Sequence, residues 1–263
     1  MTETNAQYHA DTEYINKSMM QKYRESPSMY NMLYVAQTIV RPPPTEAMVL
    51  GSLLHCVVLE PEKLDDLFLV SELKSRRGKG WDEFADVAAT EDKLPVLQKH
   101  LTHANNMQDA LLCSPIFMNL MEMDCEIEQS FRWTHEATGL KLKCKPDQRI
   151  YDAGLKMPIC LDVKTSADPR PHKFRWQAKD FGYACQASHY LDGCKIKTGV
   201  DHRFVFAVVG KSPPHDVYFY ECDKNSPKVV DAYLEIEDTL AALKKSLDTN
   251  VWLTEGQEQF NEL

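Results

Sequence analysis

The sequence predicts an α/β fold preceded by a helical N-terminal part. Three observations predict it. A strongly apolar helical run, residues 46–59, comes before any clear strand. From Glu126 onward the chain alternates in strand fashion through three segments. A helical stretch then separates these from two further apolar strands and a closing helix. At 263 residues the chain fits one large domain, or a core with an added helical piece.

Composition narrows the function classes. The chain is 43% hydrophobic and 26% charged, ordinary for a globular protein. No apolar run approaches the roughly 20 residues of a membrane span, so no membrane partner is expected. The start, MTETNAQYHADTEY, is polar and acidic rather than a secretory signal, which makes a cytoplasmic location the default expectation. A net charge of −9 argues against non-specific coating of nucleic acid, though not against a local basic groove. Eight cysteines occur without a Cys-x-x-Cys pair, so no zinc ribbon is expected and the thiols read as reduced and mostly buried.

Taken in order, residues 1–13 read as disordered. A helical pattern runs from Ile15 to about Val35, broken at Pro27. RPPPTEA is a loop in which Thr45 can cap the next helix. That helix carries His55, with Gly51 one turn earlier on the same face. His55 suits either a core histidine bonded to backbone or a metal ligand. Pro61 closes the helix. Residues 71–90 place Lys74, Arg76, Arg77 and Lys79 around two glycines and ahead of Trp81. This reads as a solvated loop or as an arm that contacts phosphates. Residues 91–115 read as one helix, with Leu97, Leu101, Ala104, Met107 and Leu111 inward and His100 and His103 on the surface.

The strand half holds the chemistry. Residues 126–135, which include Glu128, form one arm of a hairpin, and residues 140–150, which include Pro146-Asp147, form the other. In the third strand, ICLDVKT, alternation sends Ile159, Leu161 and Val163 to one face and Cys160, Asp162 and Lys164 to the other. Asp147 can meet Asp162 across the turn. Two carboxylates make a hard-cation site suited to Mg²⁺, and a lysine beside them can stabilise charge or hold a water. Taken alone, Asp-x-Lys also describes an ordinary solvated strand face. The helix over 173–194 sets Gln186 and Tyr190 one turn apart. RFVFAVVG, almost wholly apolar, reads as an interior strand, followed by DVYFYEC. Ser226-Pro227 opens a last helix whose stripe is Val230, Tyr233, Leu240, Leu243 and Leu247.

These features together resemble the PD-(D/E)XK nuclease superfamily, and more narrowly its RecE-type members (exodeoxyribonuclease VIII), in the branch shared with the RecB nuclease domain and lambda exonuclease. The points of match are Gly51-x-x-x-His55, Pro146-Asp147, Asp162-x-Lys164 and Gln186-x-x-x-Tyr190, in that order, over roughly residues 14–250. The resemblance implies a restriction-endonuclease-like core, a central mixed sheet flanked by helices, over 126–250. A helical part would span 14–125 and a tail 251–263. It implies that Asp147, Asp162 and His55 bind Mg²⁺ (or Mn²⁺), with the Val163 carbonyl completing the shell. Lys164 would orient or help deprotonate the attacking water, Gln186 and Tyr190 would line the site and contact the DNA backbone, and Glu128 would match a frequent acidic position. It implies a 5′ to 3′ exonuclease on duplex DNA ends, assembled as a homo-oligomeric ring, tetrameric in the RecE branch, that hands its single strand to an annealing protein. The cysteines lack the spacing of the iron–sulfur relatives, so no cluster is expected. The absence of Gly-x-x-x-x-Gly-Lys-Ser/Thr leaves no nucleotide site. The competing expectations are a restriction-like or structure-specific endonuclease of the same fold, and an inactive DNA-binding relative.

Overall fold

A computed structural model describes residue 3 and residues 5–253. Three short helices come first: α1 (Asn5–Ala10), α2 (Lys17–Glu25) and α3 (Pro27–Tyr30), the last continuing into a π-helical turn at Asn31–Val35. Helix α4 (Glu46–Leu59) is capped by Thr45, whose hydroxyl accepts the Met48 N–H. Next come α5 (Leu64–Leu67), β1 (Phe68–Ser71), α6 (Lys79–Thr90), β2 (Leu94–Leu97), α7 (Gln98–Leu112) and α8 (Pro115–Met121). The strand half follows as β3 (Cys125–Ile127), β4 (Phe131–Thr134), β5 (Lys141–Cys144), β6 (Gln148–Ile150) and β7 (Ile159–Ser166). Helices α9 (Pro171–Asp180) and α10 (Tyr183–Thr198), strands β8 (Arg203–Gly210) and β9 (Val217–Cys222), and the long α11 (Pro227–Thr249) complete the fold.

The central sheet is mixed, in the order β3-β6-β7-β8-β9. Only β7 and β8 run parallel, as a strand–helix–strand crossover through α9 and α10 requires. Both faces of β7 and β8 are covered. Ile159, Leu161, Val163, Val205, Ala207 and Val209 pack under α4 and α7. Cys160, Phe204, Phe206 and Val208 pack on the opposite face, against Ala187, Leu191 and Cys194 of α10. The face bearing Cys160, Asp162 and Lys164 is therefore interior rather than solvated. A further layer, built from α2, the β4–β5 hairpin and α11, closes around Met19, Trp133, Leu142 and Leu240. No helix among the described residues is long and apolar enough to cross a membrane.

Several segments depart from the sequence expectations, each for a local reason. The expected disordered start contains α1, and Tyr8 is buried. It is held by Lys143, a wholly buried ammonium that donates to the carbonyls of Tyr8 and Asp11. Residues 91–115 are not one helix: Leu94–Leu97 pair in parallel with β1. Pro95 cannot sit in a helix interior, and burial of Val96 and Leu97 favours the strand. The basic stretch is shorter than expected, because Lys79 and Trp81 belong to α6. Residues 126–135 split at Glu128, whose φ of +51° turns the backbone out of the main sheet and into the separate β4–β5 hairpin. Residues 173–194 split at Gly182, which takes φ +61° between α9 and α10. His100 is buried, with Nε2 2.6 Å from Glu46, and the His103 Nε2 faces the Lys211 carbonyl at 2.5 Å. On α11 the inward stripe is Val229, Ala232, Ile236, Leu240 and Leu243, so Val230, Tyr233 and Leu247 point outward.

Candidate active site

Strand β6 pairs with β7 only as far as Gln148↔Leu161. Beyond that point β7 still pairs with β8, but its other edge is open, and the backbone groups of Val163 need partners from elsewhere. The Asp147 side chain supplies one: its Oδ2 accepts the Val163 N–H at 2.7 Å. His55, from α4, supplies the other: its Nε2 lies 2.7 Å from the Val163 carbonyl. The carbonyl can only accept, so Nε2 carries a proton, and the Val163 oxygen expected to face a metal is engaged by the histidine instead. His55 Nδ1 then faces Asp147 Oδ1 at 3.5 Å. A donor and an acceptor that Pro146 and the end of β6 leave behind are thus what gather the histidine and the first acid.

The second acid is held from the opposite face. Asp162 is 2% exposed. Its Oδ2 accepts the Gln186 amide N–H from α10, and its Oδ1 is in ion-pair contact with the Lys164 ammonium. Asp162 Oδ1 is thus satisfied by the ammonium, and Oδ2 by the amide. Lys164 also sits over the Tyr183 ring, 5.5 Å from its centre. Tyr190, one turn beyond Gln186, packs edge-on to Phe204 and is shielded by the cores on either side of α10. Gly51, one turn before His55, has open space where a Cβ would project.

Charges at the site are mutually tuned. Burial, with Asp162 adding repulsion, pushes the Asp147 carboxyl up to about 7, against the pull of His55. Burial acts to lower the His55 ring, but Asp147, Asp162 and Glu128 outweigh it and raise it. Burial likewise opposes the Lys164 charge, and the two aspartates overcome it, so Lys164 is held as a cation.

Glu128 joins the cluster through backbone geometry. Its N–H donates to the Asp147 carbonyl at 3.0 Å, and its carboxylate pairs with Lys145 at 2.6 Å. Ligand atoms of His55, Glu128 and Asp147 lie within 4.8 Å of one another. The donor set of that group, two carboxylates and an imidazole nitrogen, suits a hard divalent cation, and Asp162 stands beside it, paired with Lys164. Lys17 of α2 is a residue that strand and motif patterns could not find. Burial, with the nearby Lys164 charge, pulls its ammonium down to about 8, and it donates to the Phe181 carbonyl. It lines a surface concavity of about 300 Å³ together with Arg24 and Lys179, whereas neither Asp147 nor Asp162 lines it. In the basic stretch, Lys74, Arg77 and Lys79 are exposed, and Arg76 stacks over Trp81 at 5.2 Å from the ring centre.

Comparison with known proteins agrees with this architecture. A family model described as a PDDEXK-like domain of unknown function (DUF3799) matches residues 16–259. No curated protein matches the chain. Among solved structures, the "putative exonuclease" of Eubacterium rectale is similar at TM-score 0.65 and 17% identity, covering 95% of this chain and 88% of that one. A phage-related exonuclease from Haemophilus somnus 129PT is similar at TM-score 0.33 and 13% identity, covering 74% of this chain and 82% of that one. The first of these likenesses speaks for the fold, and the second is too slight to carry an argument.

Proposed function

Because the chain belongs to the PDDEXK-like DUF3799 family, we propose that it is a metal-dependent nuclease that hydrolyses DNA phosphodiester bonds. The observation that carries this reading is the meeting of Asp147, Asp162 and Lys164 where β7 outruns β6, with His55 closing the far side. Asp147, Asp162, His55 and Glu128 would hold the cation. A bound Mg²⁺, or Mn²⁺ in its place, would neutralise phosphate charge and lower the pKa of a coordinated water. Lys164, kept protonated by the two aspartates, donates to phosphate oxygens where negative charge accumulates, and so serves as a stabilising cation rather than as a base. Gln186 fixes the rotamer of Asp162. Tyr190, packed between the cores beside α10, would support the Gln186 face rather than meet the DNA backbone, and the exposed Lys74, Arg77 and Lys79 offer phosphate contacts further out.

The resemblance to RecE-type enzymes extends the reading to digestion from duplex ends, 5′ to 3′, with the exposed strand passed to an annealing protein. A chain with net charge −9 is repelled by DNA over most of its surface, and affinity for DNA comes chiefly from phosphate contacts. A closed ring, tetrameric by the same resemblance, needs positive charge only along its channel. The deciding experiment is digestion of end-labelled linear duplex against covalently closed circular duplex, with Mg²⁺ and with Ca²⁺ as control. Mg²⁺-dependent loss of the linear substrate alone supports the exonuclease. Equal loss of the circle would point to an endonuclease, and no loss of either would remove the nuclease reading.

A further inference from the structure

Beneath the acidic site the fold gathers thiols that sequence spacing keeps far apart. Cys160 on β7, Cys194 on α10 and His202, just before β8, bring two sulfurs and a ring nitrogen within 4.8 Å of one another. Cys160 Sγ and Cys194 Sγ are 3.2 Å apart, well beyond the roughly 2.05 Å of a disulfide. Cys144 on β5 brings a third sulfur beside Cys194 but stands outside that group of three. The three cysteines are fully buried and His202 is 3% exposed. The histidine is already oriented: its Nδ1–H donates to the Val200 carbonyl at 2.8 Å, which leaves Nε2 as the lone-pair nitrogen. Nε2 accepts from Arg149 Nε at 3.0 Å, and the same guanidinium is tied to Glu126 at 3.0 Å.

We propose that Cys160, Cys194 and His202, joined by Cys144 as it moves in from β5, form a second metal site, one that takes Zn²⁺ as a structural ion. Three sulfurs and an imidazole are soft and borderline donors, which select zinc over the hard cations suited to the carboxylate site. Tetrahedral ligation with Zn–S near 2.3 Å sets sulfurs about 3.8 Å apart, so Cys160 and Cys194 need to separate only slightly. An imidazole whose Nδ1–H is held by a backbone carbonyl is the usual outer-shell arrangement for ligation through Nε2. On binding, three S–H protons leave to solvent, three Zn–S bonds form, and Nε2 exchanges the Arg149 N–H for the metal. The resulting ZnS₃N centre carries one net negative charge, and the Arg149 guanidinium beside it is the counter-cation. Since the four donors are buried, the ion enters as the chain folds.

The placement has a purpose. Cys160 shares a strand face with Asp162, two residues on, and Cys194 lies two turns beyond Gln186 on α10. Zinc would tie β7 to α10, the two elements whose spacing sets the Asp162–Gln186 hydrogen bond, and would tie both to β5. The inference does not depend on the nuclease reaction, and its test reads metal rather than cleavage.

The full chain, produced in zinc-supplemented medium and dialysed against Mg²⁺, should retain near-stoichiometric zinc by elemental mass spectrometry. A mercurial thiol reagent should release it. Protein produced with Co²⁺ should show intense sulfur-to-cobalt charge-transfer absorption and the d–d bands of a tetrahedral ion. Asp147→Asn combined with Asp162→Asn should keep the zinc, and Cys194→Ser should lose it. If Cys194→Ser does not fold, the wild-type cobalt spectrum decides alone. Folded wild type without zinc, a cobalt spectrum without sulfur charge transfer, or a Cys160–Cys194 disulfide found by peptide mapping would each overturn the proposal.

Discussion

Asp147 accepts the backbone N–H of Val163 at 2.7 Å, so the Pro-Asp loop is latched onto the strand that carries Asp162 and Lys164. One carboxyl oxygen is used for this latch, and the other faces His55. The residue therefore has a separable structural half and chemical half. Asp147→Asn keeps an oxygen that can accept the Val163 N–H but removes the charge. It should keep the fold and lose DNA cleavage by about 10²-fold or more. Circular dichroism alongside digestion of labelled duplex checks both parts, and undiminished cleavage would remove Asp147 from the reaction.

The same carboxyl sets a pH dependence. Its folded-state pKa, about 7, lies above the 3.8 of a free aspartate. A raised pKa means that the native state holds the proton more tightly. The resulting stability is full below about pH 4 and is lost as pH rises through 7. Metal-free protein should thus lose part of its stability between pH 4 and 7, and Asp147→Asn should flatten that slope. Urea midpoints at several pH values, with EDTA present, measure it. A variant whose slope matches wild type would assign the dependence elsewhere.

Lys164 answers two buried aspartates. Lys164→Met removes the ammonium and leaves Asp162 buried without its counter-charge, a change that typically costs about 3–5 kcal/mol. The metal-free variant should melt well below wild type. Mg²⁺ should recover part of the loss, because a cation that binds only the native state stabilises it. Cleavage should stay low even in the Mg²⁺-rescued protein. Melting curves with and without Mg²⁺ provide the test, and an unchanged melting temperature would mean that Asp162 is better solvated than its burial indicates.

Gly193 lets α10 approach the hairpin. A Cβ there would come within 2.6 Å of the Trp133 ring and 2.9 Å of Cys144 Sγ. Gly193→Ala gains up to about 1 kcal/mol of helix propensity. The overpacking it introduces costs about 1–3 kcal/mol, so the net change should be destabilising. Chemical denaturation checks the sign, and a stabilised variant would show that Trp133 can move aside.

Much of this arrangement was legible in the sequence where the signal is local. Alternation in ICLDVKT put Asp162 and Lys164 on one face, and they are in contact. The spacing of Gln186 put it over that face, and it bonds Asp162. What escaped depends on backbone conformation or on assembly from distant segments. The break at Glu128 lies in a φ that a glutamate does not announce. β2 is four residues long, too short for alternation to declare itself against a helical reading. Lys17 reaches the neighbourhood of Lys164 from a helix that precedes it by well over a hundred residues. On α11 the expected stripe holds at Leu240 and Leu243, but Val230 and Tyr233 each sit one position past the inward Val229 and Ala232.

Lys143 finally changes how the first residues of the chain should be valued. Their polar composition invites removal at the bench, as a tail that carries nothing. Yet the carbonyls of Tyr8 and Asp11 are the substitute for water around an ammonium with no access to solvent. Trimming to residue 13 would leave that ammonium to find other oxygen atoms or to shed its proton. The leading peptide is in effect an ion's hydration shell written into the main chain, and a shortened version of this protein is best begun before Tyr8.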